Sequence, residues 1–257
     1  MKRMVLMAAL VAALAGRAAA GAGRLEADGA SGCARVRFEG ALHIVCRFDA
    51  ARDDIALYWA GDDGRPLESF GRLAEMLRKR GRDLLFAMNA GMFSAEHAPI
   101  GLYVERGRVI RPLNRRKGPG NFHMLPNGVF WLAGGRAGVT ETGRFARARR
   151  KVDFATQSGP MLVTDGRIHP RFMRDSASRK IRNGVGVAAD GRTVWLAISE
   201  QPVNFHAFAR LFRDKLKTPN ALFLDGTISQ IHAPALGQYG GWSRIGPMIA
   251  VSAPKGG

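Results

Sequence analysis

Acidic side chains are scarce in this chain: 21 Asp and Glu stand against 39 Lys and Arg, a formal net charge of +18 over 257 residues. Such a field favours anionic partners, such as envelope polymers, lipid headgroups or phosphorylated substrates. The cations are scattered along the chain, 31 Arg and 8 Lys, so they form no nucleic-acid-binding stripe. Only two cysteines occur, too few and too far apart for a metal site. The P-loop and the dinucleotide fingerprint are both missing. Ser158 stands in Gln-Ser-Gly-Pro, not in the G-x-S-x-G turn that activates a hydrolase serine. His123, His206 and His232 lack the HExxH spacing of zinc ligands. No cofactor or metal site is therefore expected, and a divalent-metal requirement stays open. Beyond residue 20 no run is apolar enough to span a bilayer, and no repeat, low-complexity linker or charge block divides the chain.

The N-terminus has the form of an export signal. Lys2 and Arg3 precede an apolar run over residues 4–15, and Ala18-Ala19-Ala20 offers a small-residue cleavage site. Residues 1–20 read as a signal peptide, residues 21–32 as a flexible Gly/Ala-rich segment, and residues 33–257 as the folded domain. Removal of Lys2, Arg3 and Arg17 takes the charge from +18 to +15. A periplasmic or secreted location follows. In that setting Cys33 and Cys46, flanking a hairpin, favour one disulfide, with two inert buried thiols as the alternative.

Alternation of apolar and polar residues predicts strands over 35–38, 42–48 and 55–59. Ser69 caps a helix with Phe70, Leu73, Met76 and Leu77 on one face, ending in Arg78-Lys79-Arg80 and Gly81. Short strands recur at 84–88, 101–105, 109–113, 128–132, 154–157, 161–163, 184–188, 194–199 and 248–251. A second helix fits 204–217, capped by Asn204, with Phe205, Phe208, Leu211, Phe212 and Leu216 as its apolar stripe. Asp165-Gly166 and Asp190-Gly191 suit hairpin turns. The prediction is one α+β domain with a mixed, twisted sheet flanked by a few helices.

Residues 221–232, ALFLDGTISQIH, deliver Asp225, Gly226 and Ser229 from the end of a buried strand. Strand rims are where sheet proteins present chemistry. Two further strand exits share that composition: NAGMF, with Asn89 and Gly91, and QSGPML, with Gln157, Ser158 and Gly159. Each joins a hydrogen-bonding side chain to a glycine, which permits positive φ or close ligand approach. The run 178–186 adds Arg179, Arg182 and Gly184, with guanidinium forks suited to phosphate. The run Arg147, Arg149, Arg150 and Lys151 reads as a solvated basic stretch. Among carboxylates after residue 150, Asp225 is the first catalytic candidate and Glu200 the second, since glycoside cleavage commonly uses two. His206 is a candidate pocket residue beside Asn204.

The ordered segments NAGMF, PIGLYVERG, GPGNFHMLPNGVF, FATQSGPMLV, SRKIRNGVG and LFLDGTISQIHAP resemble the phosphodiester glycosidase family. That family includes the mammalian uncovering enzyme, which removes N-acetylglucosamine from a phosphodiester on mannose. The small exported proteobacterial branch is the nearer likeness. The resemblance implies hydrolysis of a sugar-1-phosphodiester and a small-molecule or glycan substrate carrying phosphate. It places pocket positions at Asn89, Gly91, Gln157, Ser158, Gly159, Arg182, Gly184, Asp225 and Gly226. By that likeness Arg182 takes the phosphate, Asn89 and Gln157 bond sugar or phosphate, and Asp225 is the principal carboxylate. Thr227 and Ile228 depart from the glycines and serines common at that place, and should narrow the turn. The competing reading is a non-catalytic module that binds an anionic glycan or phosphorylated sugar.

Overall fold

The computed structural model describes residues 32–256 apart from Thr227 and Trp242. The expected signal peptide and residues 21–31 lie outside them, as does Thr227.

Strands β1 (Gly32–Phe38), β2 (Ala41–Asp49) and β3 (Asp54–Tyr58) precede helix α1 (Phe70–Lys79). Strands β4 (Arg82–Asn89), β5 (Tyr103–Glu105), β6 (Arg108–Arg111), β7 (Gly128–Ala133) and β8 (Arg136–Glu141) lead to helix α2 (Thr142–Ala148). Then come β9 (Phe154–Ser158), β10 (Met161–Thr164), β11 (Arg167–Ile168), β12 (Asn183–Val187) and β13 (Thr193–Ser199). Helix α3 (Phe205–Arg210) runs into a π-helical turn (Leu211–Lys215). Strands β14 (Asn220–Asp225), β15 (Ile231–Ala233), β16 (Gln238–Tyr239) and β17 (Met248–Pro254) close the chain.

The α+β class and single domain are as expected. The sheet is not. In place of one mixed sheet there are three, ordered β1-β2-β13-β12-β14-β10-β11, β16-β15-β4-β17-β3 and β6-β5-β9-β7-β8. Every strand pairing in them is antiparallel. Many successive strands are joined by tight turns, and a tight turn reverses the chain, whereas a parallel neighbour needs a long crossover.

The inner faces of all three sheets share one core, with Ile44, Leu57, Phe86, Met88, Tyr103, Phe130, Met161, Val185 and Leu222 buried together. Each outer face takes a helix. Helix α3 and its π turn bury Phe208, Leu211, Phe212 and Leu216 on the first sheet. Helix α1 seats Phe70, Leu73, Met76 and Leu77 on the second, its start capped by the Ser69 hydroxyl accepting from Arg72 N at 3.2 Å. Helix α2, only 7 residues long, sets Phe145 on the third beside Leu102, Val104 and Trp131. Each such side chain contributes about 1.5–3 kcal/mol when fully buried.

Cys33 and Cys46 are register partners across β1 and β2, and their sulfurs are bonded at 2.09 Å. The disulfide reading therefore holds, and the thiol alternative falls. No helix of the described residues is long and apolar enough to cross a membrane.

Candidate active site at the junction of three sheets

Three buried side chains, through four hydrogen bonds, tie the three sheets together at one end. Asn183 Nδ2, at the start of β12, donates to Asn89 O and Oδ1 at the end of β4, at 2.8 and 2.9 Å. Ser158 Oγ, at the end of β9, donates to Leu224 O on β14 at 2.8 Å. Thr156 Oγ1 donates to Ala90 O, just past β4, at 3.0 Å. Buried hydrogen bonds of this kind between elements fix one arrangement of them.

Asp225 ends β14 at this junction and is 7% exposed. Its backbone N–H donates to Asn183 Oδ1 at 2.8 Å, and its own Oδ1 accepts from Gly226 N at 2.6 Å. Ser229 Oγ turns back to Asp225 O at 2.8 Å and to Ile181 O at 3.3 Å. Gln230 N donates to Asn89 Oδ1 at 3.0 Å. Asn89 Nδ2 remains a buried donor with no protein acceptor among the described residues.

Arg182 is 2% exposed. Its Nε donates to Val203 O at 2.8 Å and its Nη2 to Ser178 O at 3.0 Å. The guanidinium lies 3.6 Å above the Phe205 ring, a cation–π contact from the first residue of α3. Burial pulls it down to about 10, which leaves it a cation at neutral pH. Its Nη1 faces Gly226, 3.7 Å from where a side chain there would begin.

A cleft of about 320 Å³ opens beside the junction, lined by Ile181, Ser199, Glu200, Ser229, Gln230 and Ile231 among others. Glu200 pairs with Arg35 Nε at 3.0 Å, while its Oε2 is buried and unpartnered among the described residues.

Residues 82–232 match the phosphodiester glycosidase family. The chain belongs to the phosphodiester glycosidase family. It is 39% identical to the uncharacterized protein YigE of Escherichia coli K12 over 178 residues, 69% of each chain. Its fold resembles the zebrafish N-acetylglucosamine-1-phosphodiester alpha-N-acetylglucosaminidase catalytic domain, auto-inhibited by its pro-peptide, with a TM-score of 0.59 at 13% identity. That match covers 85% of this chain and 81% of the other. It also resembles a hypothetical protein from Synechocystis, with a TM-score of 0.54 at 13% identity, covering 86% of this chain and 61% of that one.

Within this phosphodiester glycosidase fold, the sequence candidates separate into three groups. Asn89, Ser158, Arg182, Asp225, Gly226 and Ser229 meet at the junction, and Glu200 lines the adjoining cleft. Gln157 stands next to it, but its side chain is committed elsewhere. Its Oε1 accepts from Leu102 N at 3.0 Å and Asn114 N at 2.9 Å, and its Nε2 donates to Asn114 O at 2.7 Å. A ligand-binding amide would keep one of these positions free, so the expected sugar or phosphate contact is replaced by a structural clamp.

Arg179 and His206 face other surroundings. Arg179 lines a separate cleft of about 220 Å³ with His43, Gln201 and Ala207. The charges acting on His206 come from Arg174, Arg210, Glu39 and Arg213, and its imidazole is lowered chiefly by burial, then by these cations.

Of the two roles expected for the glycines, positive φ is not used. Gly91, Gly159, Gly184 and Gly226 do not adopt positive φ. Gly184 is needed for space, since a side chain would start 2.9 Å from Leu222 O inside the sheet. Gly226 alone of these borders Arg182 Nη1.

Asn183 was missed among the candidates, although it lies within the Arg-rich run and holds both Asn89 and Asp225. A polar residue at a strand start just before Gly184 was the available signal. Among the described residues no group of three or more His, Cys, Asp or Glu side chains is placed to hold a metal ion.

Proposed function

We propose that the chain is an exported hydrolase that cleaves a sugar-1-phosphodiester. One arrangement carries this reading: a buried carboxylate, Asp225, followed by a residue without a side chain, beside the Nη1 of a buried cation. Water would replace the phosphomonoester at the anomeric carbon, leaving a free sugar and a phosphate monoester. A phosphate oxygen is a good leaving atom, so its charge needs stabilising more than its oxygen needs protonating. Arg182 supplies that charge from behind Gly226. Asp225 faces the sugar, and Asn89 Nδ2 supplies a donor to a ligand oxygen. Glu200 is the second carboxylate, held by Arg35 at 3.0 Å.

Export is supported by the basic-apolar-alanine N-terminus and the disulfide. The +15 charge of the chain without residues 1–20 suits a phosphorylated envelope glycan or a metabolite derived from one.

The test is hydrolysis of a panel of sugar-1-phosphodiesters, including an α-N-acetylglucosaminyl phosphodiester, with and without chelator. Asp225→Asn is expected to remove turnover and Glu200→Gln to reduce it, both with unchanged melting. No turnover by the wild-type protein, with ligand binding retained, would replace this reading with the anionic-glycan binding module.

A further inference from the structure

The helix on the third sheet leaves part of that face uncovered. Beside α2 lies a groove of about 630 Å³, lined by Leu102, Val104, Val109, Phe145 and Val152 and edged by Arg150 and Lys151. Val109, on β6, is 61% exposed, so the apolar floor continues onto the surface. Helix α1 closes the corresponding face of the second sheet with four buried apolar side chains, and α3 together with its π-helical turn closes that of the first with Phe208, Ala209, Leu211 and Phe212. Helix α2 buries only Thr142 and Phe145.

One edge of the groove carries positive charge, from Arg150 and Lys151. Arg150 lies 4.1 Å over the Trp131 ring, fixed beside the apolar floor. Arg147, Arg149 and Lys151 are its sequence neighbours. The carboxylate on the wall, Asp153, is bonded to Gly134 N at 2.9 Å. Glu105 on the neighbouring hairpin is bonded to Tyr103 OH at 2.9 Å. No carboxylate pairs with Arg149, Arg150 or Lys151 among the described residues.

The geometry points to a docking site for an anionic membrane surface, in which the groove takes the acyl region of a lipid and the cationic edge takes its headgroup. An apolar trough alone would accept any hydrophobe, and a cationic patch alone any polyanion. Their combination fits an amphiphile with a negative head. Each Lys or Arg near an anionic bilayer strengthens the attraction, and burial of exposed apolar surface adds to it. Docking here would hold an envelope hydrolase at the layer where phosphate-linked glycans and lipids meet, with a site separate from Asp225.

Sedimentation with vesicles of phosphatidylglycerol and phosphatidylcholine, against phosphatidylcholine alone, tests this. The protein is purified in the form the exporting cell leaves it, so that wild type and variants share one N-terminus. The wild-type protein is expected to bind the anionic vesicles at least tenfold more tightly at 0.1 M salt. Both Val109→Asp and the double reversal Arg150→Glu with Lys151→Glu are expected to weaken that binding tenfold or more without a fall in melting temperature. Failure to bind anionic vesicles would overturn the proposal. So would loss in the charge reversal with Val109→Asp unaffected, which would leave charge alone as the cause. A fall in melting temperature or a change of oligomeric state in Val109→Asp, with vesicle binding unaltered, would also overturn it. That outcome would assign the groove to another part of this chain or to a second copy.

Discussion

Asn183 holds Asp225 by its backbone: the Asn183 Oδ1 accepts the Asp225 N–H at 2.8 Å, while its Nδ2 reaches Asn89 O and Oδ1 at 2.8 and 2.9 Å. One amide therefore sets the positions of two residues on different sheets. Asn183 and Asp225 are also register partners at the bulge between β12 and β14. The bulge turns the strand end out of regular pairing, leaving a backbone donor that a side chain must satisfy.

Replacing Asn183 with Ala would leave a buried N–H and two acceptors without this partner. Asn89 Oδ1 keeps Gln230 N, so two groups lose their side-chain partner at about 1–3 kcal/mol each, and the variant should lose about 2–6 kcal/mol in urea unfolding. Turnover per folded molecule should fall at least tenfold, because Asp225 and Asn89 lose their common anchor. Unfolding identical to wild type would show that the amide does not anchor the junction.

Gly226 gives a sharper test of the phosphate place. A side chain there would begin 2.8 Å from the Phe223 ring and 3.7 Å from Arg182 Nη1. Gly226→Ala should destabilise by about 1–3 kcal/mol through overpacking. It should also lower kcat/KM at least tenfold on any phosphodiester substrate. Full activity with normal melting would move the phosphate away from this turn.

Some of this structure was legible in the sequence and some was not, for different physical reasons. Local signals carried well. Ser69 and Asn204 both cap their helices, and Cys33 and Cys46 pair across the expected hairpin. Helix α2 had no expectation in the sequence: it buries only Thr142 and Phe145, and its cap is a glutamate, Glu141, bonded to Gly143 N and Arg144 N. That is too short an apolar stripe to signal a helix. The site glycines were located, but composition could not tell a positive-φ turn from a position where space alone demands glycine, as at Gly184. Residue type showed that Gln157 and Asn183 could bond. Only the tertiary fold shows with whom.

Gln157 is accordingly expected to matter for folding and little for chemistry. Gln157→Ala removes acceptors for Leu102 N and Asn114 N and should cost about 2–3 kcal/mol in urea unfolding. KM and kcat per folded molecule should stay within about threefold of wild type in steady-state assays on that same panel. A large rise in KM with little loss of stability would return Gln157 to the substrate site.

His43 should give the protein an acid-sensitive fold. It is 2% exposed, stacked 6.1 Å from Phe208, and its Nδ1 has no partner among the described residues. Burial lowers the imidazole from 6.5 to about 4. The unfolded chain therefore binds a proton that the folded one refuses between those values. This group leaves stability unaffected above about pH 6.5. It subtracts progressively as pH falls, reaching about 3 kcal/mol below pH 4 by the linkage of 1.36 kcal/mol per unit. Other groups titrate in the same range, so the informative quantity is the difference between wild type and His43→Gln. Between pH 7 and 4.5 the wild type should lose about 2–3 kcal/mol more than the variant in urea unfolding. Parallel losses in the two proteins would mean that His43 accepts its proton without unfolding, through an opening of the first sheet's outer face where Phe208 now covers it.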